Sequence, residues 1–216
     1  MTRDAMYGGA LIAGALAGLV TMAMHPTGSQ LIADVQHLAP VGLAVHSLAL
    51  AALPVSFFGV IGLTRLLRLD GEAPLAALVA YGMASVAVMI AAVASGLIAP
   101  GLAVQIVSST GADHDFASAF FQYTGIINQA FAKVYVVASS AAILIWSSSI
   151  LAHGRLARAS GVLGVIVGVL ALFAVTVGHM RLDVHGFGAV VLCQGLWTIT
   201  IGVLLIRARP APEGAR

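Results

Sequence analysis

Charged residues are scarce in this chain, and their scarcity excludes a water-soluble fold. Only 8% of the 216 residues are Asp, Glu, Lys or Arg, against roughly 25% in soluble domains. Apolar residues make up 60% of the chain, and its mean hydropathy is +1.04. A water-soluble core of this size cannot enclose so much apolar surface, so the sequence predicts that the surrounding solvent is lipid.

The chain also lacks the cysteines and short motifs that identify common sites. Its single cysteine, Cys193, excludes an intrachain disulfide and is expected to be a small buried residue of an apolar stretch. The sequence contains no HExxH, CxxC or CxxCH motif. Its basic residues are scattered over short segments, so nothing in it predicts nucleic-acid binding.

Six apolar stretches are long enough to cross a bilayer, which takes about 20 helical residues. They cover about 8–25, 39–64, 74–99, 118–150, 159–179 and 185–206. The connections between them are short and leave no room for a separate soluble domain. The sequence therefore predicts an all-α, polytopic membrane protein, with six transmembrane helices in one bundle over 1–216 and a disordered cytoplasmic tail at 207–216.

Basic residues are distributed asymmetrically about these six spans. Eight of the ten fall before the first span, after the sixth, or in connections on that same side: Arg3, Arg65, Arg68, Arg155, Arg158, Arg207, Arg209 and Arg216. The opposite connections contain only Arg181. Cytoplasmic segments carry the excess of Lys and Arg. The expected location is therefore a bacterial-type inner membrane, with multiple passes and both termini cytoplasmic.

The outer side is expected to carry two polar segments. Residues 27–38 are too polar to span a bilayer and predict a short surface helix or loop, and 103–116 is expected to be the longest outer loop. Glycines in the first and fifth spans predict close helix packing. These glycines are Gly14, Gly18, Gly161, Gly164 and Gly168.

The fourth span carries an unusual polar stripe. Gln122, Gln129, Lys133, Ser140 and Ser147 follow one another at intervals of seven, four, seven and seven, which places them on one helix face. Asn128 and Tyr135 belong to an adjacent row with Ser139. A lipid-facing helix would not carry such a stripe, so it is expected to face the bundle interior.

Lys133 is the one charged residue of this stripe, and it falls near the middle of the apolar stretch. A charged side chain there costs about 2.5–3.5 kcal/mol and commonly marks a functional site. No Asp or Glu falls at the centre of any span. Either Lys133 snorkels or bonds internally, or it meets an anionic ligand or relays a proton. The candidate ligand site around it includes Gln122, Asn128, Gln129, Tyr135 and Ser140.

Six of the seven histidines fall on or near the predicted outer side. His25, His46, His179 and His185 lie at similar depths in four different spans. Neutral imidazole is a common ligand of Zn, Cu and Fe, including haem iron. These four histidines, with Asp183, are therefore the candidate metal ligands, and haem b or a divalent metal is the candidate cofactor.

His46 differs from the other histidines because it lies inside an apolar stretch, where an imidazole needs a partner. That partner is a metal ion or a polar network. The residues expected to complete such a network are Gln194 and Trp197 of the sixth span, and Ser47 beside His46.

Three functions that involve a ligand remain open at this point, beside a fourth possibility, a structural or sensory membrane protein without a ligand. The first is a binding or redox protein with haem or a metal at a polar site open to the outer face. The second is a small carrier, channel or accessory subunit with a polar path around Lys133, whose small size predicts a homo-oligomer. The third is a metal-dependent enzyme whose activated water attacks a lipid or quinone.

Overall fold

The computed structural model describes residues 2–26 and 32–208, and all regular structure in these ranges is helical. The α-helices are α1 (Arg3–Ala23), α2 (Ile32–His37), α3 (Ala39–Leu67), α4 (Ala73–Val93), α5 (Ala99–Ser108), α6 (Ala112–His153), α7 (Arg158–Thr176) and α8 (Val184–Arg207). A 3-10 turn, Arg68–Asp70, follows α3, and a π-helical segment, Ala94–Ile98, joins α4 to α5 without a break.

Six of these helical stretches are long and apolar enough to cross a membrane. They are α1, α3, the continuous run from α4 through α5, α6, α7 and α8. The number of helices able to span a membrane and the all-helical class are thus as the sequence predicts. Of the two structures expected within 27–38, a short surface helix or a loop, the helix is present as α2. Residues 27–31 and the tail from 209 onward lie outside the described residues.

The boundaries of the third and fourth spans differ most from the prediction. The expected loop at 103–116 is mostly helix, because α5 runs to Ser108 and α6 begins at Ala112, leaving only a short turn at 109–111. Polar residues are compatible with a helix as long as water can solvate their side chains. The polarity of this segment therefore did not prevent helix formation. The fifth span is shorter than expected and ends at Thr176 instead of 179.

The six long apolar elements pack in a closed ring. Helix α1 lies between α3 and α8, α3 packs on α4, α4 on α6, α6 on α7, and α7 on α8. Glycines permit the closest approaches, as predicted: a Cβ on Gly14 would overlap the Ser56 side chain, and one on Gly164 would overlap Ser147 and Trp197. Gly18 differs, because a Cβ there would make only an ordinary contact with Val191.

The first and last helices meet the second span at one end of the ring. The Arg65 guanidinium donates a hydrogen bond to the Tyr7 hydroxyl (3.1 Å), and Gly8 lies against Gly202 and Ile206 of α8. We call this end, which holds Tyr7, Arg65 and Ile206, the terminal end. The opposite end, where α1 ends and α8 begins, is the far end.

The core divides into two apolar clusters along the ring axis. The larger one, toward the terminal end, centres on Trp146 and Trp197, whose rings stack at 6.4 Å. The smaller one, toward the far end, includes Val136 and Val190. On α6, Ser139 and Ser140 fall between the two clusters. A polar layer therefore separates two apolar layers inside the ring.

Candidate functional site

The most organised polar group at the far end is a pair of histidines from α1 and α3. His25 follows the end of α1, where its backbone N–H donates to the Met22 carbonyl, and His46 lies in the second turn of α3. Because α1 and α3 pack side by side, the two imidazole rings meet. Their centres are 5.0 Å apart, with an interplanar angle of 66°. His46 is 7% exposed, and His25 is half-buried.

The hydrogen bonds of the pair define which ring nitrogens carry protons. His46 Nδ1 lies 2.7 Å from the Gly42 carbonyl, and His25 Nδ1 lies 3.1 Å from the Pro26 carbonyl. A carbonyl oxygen can only accept, so each Nδ1 must be the protonated nitrogen. In the neutral rings each Nε2 therefore keeps its lone pair.

Ser95, in the π-helical segment, completes the surroundings of His46. Its Oγ lies 3.1 Å from His46 Nε2 and 2.9 Å from the Ala91 carbonyl, so its single proton can be given to either acceptor. The neighbouring Gly96 makes room for the ring, because a Cβ there would overlap His46. Single-turn π segments inside α-helices occur frequently at functional sites.

The other predicted metal ligands do not join this pair. His179, Asp183 and His185 are exposed in and beside the α7–α8 connection. Asp183 caps α8, accepting hydrogen bonds from the backbone N–H groups of His185 (3.1 Å) and Gly186 (3.0 Å). The bond from Gly186 is the main reason that the pKa of Asp183 is lowered. Within 2–26 and 32–208, no three His, Cys, Asp or Glu side chains form a metal-binding group.

The polar residues of α6 separate into an interior set and an exterior set. Ser140 and Tyr135 belong to the polar layer with Gln194 of α8. The Gln194 amide Nε2 donates to Ser140 Oγ (3.1 Å) and lies 3.0 Å from Ser139 Oγ, while the Tyr135 hydroxyl donates to Gln194 Oε1 (3.3 Å). This network joins two helices that are not neighbours in the ring.

Lys133 is exposed, so the prediction that it points into the bundle is wrong. Gly168 of α7 packs on the Ser140 backbone and Gly164 on the Ser147 side chain. Because the helices are antiparallel, Lys133 lies about level with the end of α7 at Thr176. Helix α7 therefore covers the stripe at Ser140 and Ser147 and stops short of its farther residues.

The remaining residues of the stripe follow the same division. Gln129 donates from Nε2 to the Leu182 carbonyl (2.9 Å) of the α7–α8 connection, and Asn128 is half-buried beside it. Gln122 is exposed. Since Gln129 marks the level of that connection, residues 112–128 extend α6 by about 25 Å beyond it. Lys133 thus lies near the level of the far end of the ring, at the middle of the length of α6.

The polar partners of His46 differ from those that the sequence predicts. Gln194 bonds to the α6 serines, and the Trp197 indole donates to the Ser160 carbonyl (3.0 Å). Sequence reasoning does not identify Ser95 as the partner of His46. The one signal in the sequence is that Ser95 is followed by the small residue Gly96, at a depth in the third span similar to that of His46 in the second.

Cys193 also departs from its prediction. Its side chain is exposed on α8, contrary to the expectation of burial. An apolar stretch predicts burial in the membrane, and it does not distinguish the face that packs on other helices from the face that meets lipid.

Comparison with known proteins assigns no family or function to this chain, so a function must be argued from the geometry of the site. No family model, no curated protein and no solved structure matches this chain.

Proposed function

We propose that this chain is a single-domain, multi-pass inner-membrane protein that binds a transition-metal ion at its outer face through His25 and His46. In this proposal the terminal end is cytoplasmic, because eight of the ten basic residues of the chain belong to that side. The far end, with the histidine pair, then faces the outer compartment.

The tautomer of the two histidines is the observation that carries the proposal. A metal-bound histidine almost always donates its other ring N–H to a carbonyl, carboxylate or water, which orients the ring. Here both rings donate from Nδ1 to a backbone carbonyl. Two neighbouring imidazoles therefore have the proton arrangement that ligation through Nε2 requires.

The ring spacing suits a shared ion. With metal–nitrogen bonds of about 2.0–2.1 Å, two imidazoles on one tetrahedral ion have ring centres about 5 Å apart, and the observed separation is 5.0 Å. Binding at His46 Nε2 would displace the Ser95 hydroxyl. That loss is small, because Ser95 Oγ already lies within bonding distance of the Ala91 carbonyl.

The same geometry favours an ion over haem. Two axial imidazoles would have centres about 6 Å apart with the macrocycle between them, whereas these ring centres are 5.0 Å apart. Two protein ligands also leave coordination positions open, which suits exchange of the ion or activation of a bound water better than a structural role. An anionic ligand at Lys133 remains a prediction.

The test is elemental analysis with an ultraviolet–visible spectrum of the full chain in mild detergent, after supplementation with Zn, Cu or Fe. We expect one ion per chain, retained in His185→Ala and lost in both His25→Ala and His46→Ala. A Soret band that is lost in His46→Ala would establish haem instead. A colourless preparation that stays metal-free after supplementation would remove the proposal.

A further inference from the structure

We propose that the ion is Cu(I), held by His25, His46 and the thioether of Met24. This inference rests on the proposed metal site and specifies its ligand set and its charge. Three observations lead to it: no carboxylate of the described residues completes a metal-binding group with the pair, the nitrogen donors are few, and a methionine directly precedes His25.

The charge of the site favours a monovalent ion. Among the described residues, no Asp or Glu joins the two histidines to form a metal-binding group of three. The bound ion would therefore keep its full charge beside the buried His46. The Born cost of transferring an ion from water rises with the square of its charge. A divalent ion at the same place would pay four times the cost of a monovalent one.

The donor set also favours Cu(I) over Zn(II). Structural zinc sites are four-coordinate, and even catalytic ones use three protein ligands. Cu(I) forms stable complexes with two or three donors, and soft sulfur donors select it. Two neutral imidazoles and one thioether match that preference without any anionic ligand.

Met24 is the methionine adjacent to His25 in the chain, and in this proposal it supplies the sulfur. It caps the C-terminus of α1 and is followed at once by His25. Its side chain is 59% exposed at the far end of the ring, so packing does not restrain it. Methionine is unbranched and flexible. Its thioether can therefore turn toward an ion bound by the next residue at little cost.

The test is a competition titration of the full chain in detergent, under anaerobic reducing conditions, with a chromogenic chelator for Cu(I) and a separate indicator for Zn(II). We expect Cu(I) to bind at least tenfold more tightly than Zn(II). Met24→Leu should weaken Cu(I) binding at least tenfold and leave Zn(II) binding unchanged. Met6→Leu is the matched control, an exposed methionine at the terminal end, and should bind Cu(I) as the unaltered chain does.

The outcomes separate this inference from the proposed metal site. Zn(II) binding as tight as Cu(I) binding, still dependent on His25 and His46, would overturn the assignment of Cu(I) and leave the metal site standing. An unchanged Cu(I) affinity in Met24→Leu, with no sulfur neighbour of copper in X-ray absorption spectra, would remove Met24 from the ligand set. Failure of every metal to bind would remove both proposals.

Discussion

At the scale of single residues, the position of the His46 ring depends on two glycines, Gly96 and Gly42. Gly96 has no side chain, and the His46 ring occupies the space that a Cβ would fill. Gly42 contributes only its carbonyl, which orients the same ring. The Gly42 carbonyl lies one turn before His46 in the same helix, whereas the Gly96 contact arises only where the π-helical segment packs on α3. Residue chemistry alone does not give that second contact.

Gly96→Ala is expected to displace the His46 ring. The added methyl group overlaps the ring, and overpacking of this kind costs about 1–3 kcal/mol. Thermal unfolding in detergent should show lower stability, and metal binding should weaken. Gly101→Ala is the matched control, because a Cβ there meets nothing within 4 Å. Equal behaviour of the two variants would mean that the ring is not seated on Gly96.

The polar layer offers a second prediction at this scale. Gln194→Ala removes the partner shared by Tyr135, Ser139 and Ser140, and the loss of buried hydrogen bonds should cost about 1–2 kcal/mol. The measurement is the free energy of unfolding in mixed micelles. Gln122→Ala removes an exposed glutamine of the same chemistry and should change little. A Gln194→Ala variant as stable as Gln122→Ala would show that the network contributes nothing.

At the scale of whole helices, relative length decides which polar residues are covered. Helix α6 extends well past the end of α7, so one helix face is interior at Ser140 and exterior at Lys133. Helical periodicity places both residues on that face correctly. It contains no information on where the covering neighbour ends.

The contact between α6 and α7 is expected to be sensitive to side-chain volume on α7. A Cβ in Gly164→Ala would overlap the Ser147 hydroxyl and the Trp197 indole, so we expect a lower melting temperature in detergent. Gly125→Ala, on the open part of α6, should match or exceed the unaltered chain, because alanine favours helix where space is free.

The double variant Gly164→Ala with Ser147→Ala refines this test. Removing the Ser147 hydroxyl frees part of the space, and that oxygen has no hydrogen-bond partner among the described residues. The double variant should therefore recover part of the lost stability. No recovery would place the clash at Trp197 instead.

At the scale of the whole molecule, the proposed orientation has a direct test. In a Cys193→Ala background, Ser109→Cys lies in the turn between α5 and α6, and Ala159→Cys lies at an exposed position in the first turn of α7. A membrane-impermeant maleimide should label the first in intact cells and the second only after the inner membrane is opened. The reverse pattern would place the histidine pair on the cytoplasmic side.

Much of the fold is predictable from the sequence because its causes are local and additive. Apolar runs of sufficient length determine the number of spans, and the placement of arginine predicts the orientation. The helical structure within 103–116 is not predictable in this way, because polarity alone does not distinguish a solvated helix from a loop. The histidines are identifiable as candidates by their residue type and depth, which are also properties of the sequence.

The sequence by itself determined that the chain is helical, with six helices long and apolar enough to cross a membrane, and it predicted histidines concentrated toward one end. Only the tertiary structure decided that His25 meets His46, that Ser95 and Gly96 complete their surroundings, and that His179 and His185 stay apart. The physical reason is that hydropathy and charge act on each segment separately, whereas contacts depend on which helices are neighbours and on where each of them ends.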